Sequence, residues 1–162
     1  MCDLKNDLEF KVGKLLKEKK FTVSCAESCT GGLLTSKLTD VPGSSDYLKG
    51  AIVAYSNEIK ISTLNVKEAT LKKFGAVSEE TAQEMADNVR KILNTDIGVG
   101  VTGIAGPTGA TENKPIGLVY ISVSGMHGSQ VQKFNFSGSR IEIKSKVVNA
   151  ALTMVQNYLD LR

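Results

Sequence analysis

The sequence predicts an α/β domain, a sheet with helices on both faces, and three observations carry that expectation. Strand-like runs such as Phe21-Thr22-Val23-Ser24-Cys25-Ala26 give way to segments of helical period, as at Leu34, Leu38 and Val41. The run Gly50-Ala51-Ile52-Val53-Ala54-Tyr55 is apolar almost throughout, as a strand covered on both faces is. A chain of 162 residues is long enough for one such domain and too short for two of ordinary size, so residues 1–162 are expected to form a single domain.

Leu4, Leu8, Val12 and Leu15, with Lys and Glu between them, make an amphipathic first helix that ends near Lys19-Lys20. The first strand, Phe21–Ala26, runs through a junction at Ser28 into a second helix. Val41-Pro42-Gly43 stops that helix. After the apolar strand Gly50–Tyr55 comes a short helix over 67–74 closed by Gly75. Ser78 caps a longer helix with Glu79 and Glu80 in its first turn and Ala82, Met85, Ala86, Val89 and Leu93 on its buried face. Asp96–Thr102 reads as a strand in which Gly98 and Gly100 alternate with Ile97, Val99 and Val101, so another backbone or a ligand must pack close to its bare face. The loop Gly103–Pro115, with three glycines and two prolines, has the length and composition of a functional segment. Ile116–Ser124 and Ser129–Phe136 form an antiparallel pair around a Gly125–Gly128 turn. Ser139-Arg140-Ile141-Glu142 opens the last helix as a capping box.

Composition narrows the function. A net charge of +3, spread over most helices, argues against nucleic acid as a partner. No apolar run approaches the ~20 residues of a membrane span, and the first residues, Met1-Cys2-Asp3-Leu4-Lys5, do not resemble a signal peptide. A cytoplasmic protein with reduced thiols is expected. Three cysteines and one histidine, His127 in a glycine-flanked turn, lack the spacing of a zinc site.

The chemistry concentrates at Ser24-Cys25-Ala26-Glu27-Ser28-Cys29-Thr30-Gly31-Gly32. Ser28 lies where a strand feeds a helix, beside N–H groups that a helix start leaves free, and Gly31 and Gly32 let a ligand approach the backbone. A nucleophile beside an anion or oxyanion site is one reading; an ordinary polar junction with a Ser or Thr cap is the other. Gly98-Val99-Gly100-Val101-Thr102-Gly103 matches a dinucleotide-binding pattern, but its glycines fall inside a strand and Pro107 blocks the helix that should follow. A Ser-His-Asp triad has no suitable histidine. Of the thiols, Cys25 falls on the apolar side of its strand and Cys29 stays as an alternative nucleophile.

What survives is a histidine-free set: Ser28, with Tyr55 and Lys60 near the end of the next strand. Ends of neighbouring strands lie ~5 Å apart, so these side chains can converge. Lysine serves as a base only when neutral, which requires its pKa to fall by ~3 units from ~10.4, at a cost of ~4 kcal/mol. Burial can supply that shift. Otherwise Lys60 is a solvated lysine and Tyr55 a core aromatic. Arg140, a cation in a helix's first turn, is either held by a carboxylate or reaches for an anion.

Ala26–Gly32, Val41-Pro42-Gly43-Ser44-Ser45, Val53-Ala54-Tyr55-Ser56-Asn57 with Lys60, Gly75-Ala76-Val77-Ser78, Val101–Pro107 and Lys114-Pro115-Ile116-Gly117 together resemble the CinA C-terminal domain family, the nicotinamide-nucleotide amidases or nicotinamide mononucleotide deamidases. The six motifs occur in order over nearly the whole chain. The resemblance implies a three-layer α/β/α sandwich with a mixed sheet of about four to six strands, without metal or cofactor. It implies hydrolysis of the carboxamide of a small-molecule nucleotide, nicotinamide mononucleotide, to nicotinate mononucleotide and ammonia, with Ser28 as nucleophile, Lys60 as base and Tyr55 as proton relay or positioner. Thr102, Gly103, Ala105 and Gly106 would border the substrate, and Thr30, Gly31 and Arg140 are candidates for oxyanion or phosphate contacts. The family usually has Gly-Asp-Arg before the last helix where this chain has Gly138-Ser139-Arg140, and often a glycine where it has Ala110. Many members carry a larger N-terminal domain that this sequence does not include, which points to a stand-alone amidase. A catalytically silent nucleotide- or partner-binding domain of the same fold is the alternative, and a homo-oligomer is compatible with either.

Overall fold

A computed structural model describes residues 7–161; Cys2 and Leu4 lie outside the described residues. The chain runs α1 (Leu8–Lys19), β1 (Val23–Glu27), α2 (Leu33–Thr39), a 3-10 turn (Ser44–Asp46), β2 (Leu48–Val53), α3 (Asn57–Ser62), α4 (Glu68–Phe74), α5 (Glu79–Ile92), β3 (Ile97–Gly103), β4 (Leu118–Gly125), β5 (Gly128–Asn135) and α6 (Arg140–Leu159). The five strands form one sheet in the order β2-β1-β3-β4-β5. β1 pairs in parallel with both β2 and β3, whereas β3–β4 and β4–β5 are antiparallel. The sheet is therefore mixed, as expected.

Alternation along the strands divides the core into two layers. Val23, Cys25, Val99, Val101, Ile121 and Val123 pack with Val12 and Leu16 of α1, Leu34 and Leu38 of α2, and Val147, Ala151 and Val155 of α6. On the opposite face Ala26 and Ala54 pack with Leu64, Val66, and Met85 and Val89 of α5. The result is an α/β/α sandwich.

The glycines of β3 serve that second layer. A Cβ at Gly98 would strike the carbonyl of Ala86, and one at Gly100 that of Ala82, so the close neighbour is the backbone of α5 and not a ligand. Ser122, paired with Gly100 in the ladder, is fully buried and its hydroxyl is the one buried side-chain polar atom without a partner among the described residues. Ser122→Ala removes an unmet hydroxyl and is expected to raise the melting temperature by about 2–4 °C, equivalent to about 1 kcal/mol, in thermal unfolding.

Two elements depart from the sequence expectation. β2 is not covered on both faces: it is a half-exposed edge strand, two residues earlier than its apolar run suggests, and Val53 is 46% exposed. Tyr55 accordingly leaves the strand altogether. The segment after it is a helix, α3, capped by the Ser56 hydroxyl, which accepts from the Ile59 N–H. Its single turn-and-a-half is too short to show apolar periodicity, although the Ser56 cap is a legible signal.

From β1 the chain goes outward to β2, then crosses to β3 on the other side. β1 is thus the point where strand order reverses, and the carboxyl ends of β1, β2 and β3 all open at one edge of the sheet, the usual location of a ligand crevice in such folds.

Candidate active site

Glu27 ends β1 in register with Val53 of β2 and Val101 of β3. The pairing continues one step beyond the strands, with the Ser28 N–H on the Val101 carbonyl at 3.0 Å and the Ala54 N–H on the Glu27 carbonyl at 2.8 Å. Ser28 is therefore fixed between the two neighbouring strand ends, and α3 turns back from β2 to face it.

Lys60, the fourth residue of α3, is 1% exposed. Its Nζ lies 3.0 Å from Ser28 Oγ, 2.8 Å from the Ala54 carbonyl and 3.4 Å from that of Tyr55. In the ammonium form all three hydrogens have acceptors. In the neutral form two hydrogens still meet the carbonyls, and the remaining lone pair faces the Ser28 hydroxyl. The site thus accommodates both protonation states without moving a heavy atom. Burial pushes the Lys60 pKa below the ordinary lysine value, and the neighbouring Cys29 opposes this more weakly.

Cys29 borders the same cavity, but burial drives its thiol up to about 12, so it is held protonated at neutral pH. Cys25 is completely buried in the sheet, its thiol also pushed up by burial. Neither is prepared as a thiolate.

These groups floor a cavity of about 300 Å³. Ser28, Tyr55, Lys60, Thr102, Gly103, Ala105, Gly106 and Arg140, all singled out in the sequence, line it together. Thr102 is buried and donates its hydroxyl to the Ala76 carbonyl at 2.6 Å, which draws Ala76 and Val77 into the wall. Asn57, Ala76, Val77 and Thr108, also in the lining, were not picked out as site residues, although three of them lie inside the quoted motifs. Tyr55 is 61% exposed at the rim, not a core aromatic. Arg140 donates to the Tyr55 hydroxyl at 2.8 Å and to the Gly106 carbonyl at 2.6 Å. No carboxylate pairs with Arg140 among the described residues, so its guanidinium bridges two neutral acceptors across the mouth.

Thr30 and Gly31 depart from expectation. Thr30 is fully buried and its hydroxyl donates to Glu27 Oε2 at 2.6 Å, so it does not line the cavity. Gly31 is exposed beside the cavity, not in its lining, with its N–H donated to the Ser28 carbonyl. The cause is Glu27, a residue missed as functional. Its buried carboxylate turns inward at the start of α2 and accepts from the N–H groups of Gly32, Leu34 and Thr35 and from the Thr35 hydroxyl as well as Thr30. The free donors expected at this helix start are thus satisfied from within the chain. Gly31 and Gly32, at φ +61° and +97°, turn the backbone there.

The capping box of α6 forms as read: the Ser139 hydroxyl accepts from the Glu142 N–H and the Glu142 carboxylate from the Ser139 N–H. Ser139 therefore starts the helix that carries Arg140. No helix of the described residues is long and apolar enough to cross a membrane.

Comparison with known proteins agrees with this fold. A CinA-like protein of Endomicrobium trichonymphae is 52% identical over 147 residues, covering 91% of this chain and 34% of its own length. The chain thus spans about a third of the length of the curated relatives it matches. The crystal structure of competence/damage inducible protein CihA from Agrobacterium tumefaciens superposes with a TM-score of 0.91 at 36% identity, covering 95% of this chain and 94% of that one. A competence-damaged protein (CinA) superfamily protein from Klebsiella pneumoniae gives a TM-score of 0.91 at 28% identity, over 94% and 95% of the two chains. The model of the CinA C-terminal domain matches residues 5–159, and with the sheet order and the near-complete overlap of the solved structures this places the chain in the CinA C-terminal domain family.

Proposed function

We propose that this domain is an amidohydrolase that converts nicotinamide mononucleotide to nicotinate mononucleotide and ammonia. The observation that carries the reading is the 3.0 Å contact between Lys60 Nζ and Ser28 Oγ at the floor of an open cavity, with the amine buried and its pKa lowered. A lysine in that setting is a base for the adjacent hydroxyl, and no other base stands within hydrogen-bonding reach of Ser28 among the described residues.

Neutral Lys60 takes the Ser28 proton as Oγ bonds to the carboxamide carbon, and the C=O electrons move to oxygen. The N–H groups of Ala105 and Gly106, in the cavity lining, donate to no acceptor among the described residues and are donors open to that oxyanion. As the tetrahedral centre collapses, the C–N bond breaks and the Lys60 ammonium returns its proton to nitrogen, which leaves as ammonia. Water, deprotonated by the regenerated amine, then cleaves the ester and restores Ser28. Tyr55, exposed and held by Arg140, acts at the rim as a positioner of substrate.

Ammonia release from nicotinamide mononucleotide tests the proposal. Wild type is expected to turn over and Ser28→Ala to retain less than about a thousandth of that rate. A wild type that binds the nucleotide without releasing ammonia would replace the amidase with a binding domain of the same fold.

A further inference from the structure

The cavity has a charge pattern that its floor chemistry does not explain. Its lining includes two cationic side chains, Lys60 and Arg140, and no Asp or Glu. Lys60 is engaged with Ser28, leaving the rim to Arg140. One helical turn along α6, about 6 Å farther on, is Lys144. Lys144 is half-buried and its amine meets no hydrogen-bond acceptor and no carboxylate among the described residues, whereas Lys146 on the same helix donates to the Ser137 carbonyl. Its Nζ extends over Gly31, within 3.9 Å of where a Cβ would sit on that residue. Gly31 is itself exposed and only three residues from Ser28. Two like charges four apart in the first turns of a helix repel each other and oppose the helix dipole, an arrangement relieved by an anion between them.

We infer that Lys144 and Arg140 form a phosphate-binding pair at the rim, over Gly31, and that Lys144 sets the preference for a phosphorylated nucleotide over its nucleoside. This rests on the mononucleotide amidase reading for its substrate. The anion site itself rests only on the side chains. With the carboxamide at Ser28, a mononucleotide would span from the cavity floor to the rim and carry its phosphate toward α6. The helix start of α2 cannot take that role, because Glu27 occupies it. Gly31 thereby acquires a part in substrate binding other than as a backbone donor: without a side chain it leaves the space beside the Lys144 amine open.

The test compares wild type, Lys144→Met, Lys144→Arg and, as a control, Lys146→Met, on nicotinamide mononucleotide and on its phosphate-free nucleoside. Lys144→Met is expected to raise KM for the nucleotide roughly ten- to hundredfold, with kcat changed less than about twofold, and to leave the nucleoside unaffected. Lys144→Arg is expected to restore most of the affinity and Lys146→Met to change nothing. Equal losses on both substrates, or none, would overturn the inference. Titration with inorganic phosphate, followed by the backbone amide resonances of residues 31, 140 and 144, reads the site without turnover. Binding by wild type and its loss in Lys144→Met would uphold the anion site even if ammonia release failed; no phosphate binding by wild type would sink it.

Discussion

Lys60→Met is expected to lower kcat/KM for nicotinamide mononucleotide by roughly a thousandfold, the scale on which a positioned base contributes. The side chain fills a comparable volume without a titrating nitrogen, so Ser28 keeps its place and loses its proton acceptor. Combined with Ser28→Ala the loss should be little larger than for either change alone, since the two act as a unit. The wild-type pH profile carries the same signature. Only neutral Lys60 is a base, so kcat/KM should rise with pH through the Lys60 pKa and level off above it, at a pH below that of an ordinary lysine because burial lowers that pKa. Stability moves in the same sense. Between the lowered folded pKa and the unfolded value near ~10.4, the unfolded chain binds the extra proton, so wild type gains stability relative to Lys60→Met as pH rises through that window. Melting curves of both proteins between neutral pH and pH ~10 measure this; a gap that does not change with pH would contradict a buried, shifted lysine.

Glu27 should dominate stability as Lys60 dominates turnover. Its carboxylate is 0% exposed and accepts five hydrogen bonds, from Thr30, Gly32, Leu34 and twice from Thr35. Glu27→Ala leaves those donors without their acceptor and opens a cavity under the Ser28 turn. A loss of about 3–5 kcal/mol, or roughly 10 °C in melting temperature, is expected from leaving several buried donors unsatisfied at once. Glu27→Gln preserves shape but puts an NH₂ against groups that are themselves donors, so it should recover only part of that loss. Thermal unfolding of both variants checks the ranking. A Glu27→Gln protein as stable as wild type would mean that the carboxylate does not organise this turn.

The sandwich was legible because its signals are periodic and redundant. The buried face of α5, the Ser78 cap and the Ser139–Glu142 box each specify one helix locally, and the glycines of β3 specify that something packs close. β2 misled because an apolar run says that a strand is hydrophobic, not which neighbour covers it. At the sheet edge Val53 stays exposed. Within the site, Ser28, Tyr55 and Lys60 could be grouped by supposing β1 and β2 adjacent, which the parallel pairing of those strands bears out as geometry. Glu27 escaped because its role depends on direction. A glutamate at the end of a strand can point to solvent, to substrate or, as here, onto the next helix, and no spacing rule distinguishes these. Thr30 turns on the same point: its hydroxyl goes to Glu27, and the helix start that it and Gly31 were to share with a ligand is already satisfied. Lys144 carries no motif of its own, and its place over Gly31, one turn from Arg140, sets it apart.

The central claim is that Ser28 forms a bond to the substrate carbonyl with Lys60 as its base. Mass spectrometry of enzyme quenched in acid during turnover of nicotinamide mononucleotide tests it most directly, with fragmentation fine enough to separate Ser28 from Cys29. The account predicts an acyl adduct, the mass of the substrate less ammonia, on Ser28, and neither adduct nor ammonia release in Ser28→Ala. An adduct on Cys29, or ammonia release that survives Ser28→Ala, would contradict it.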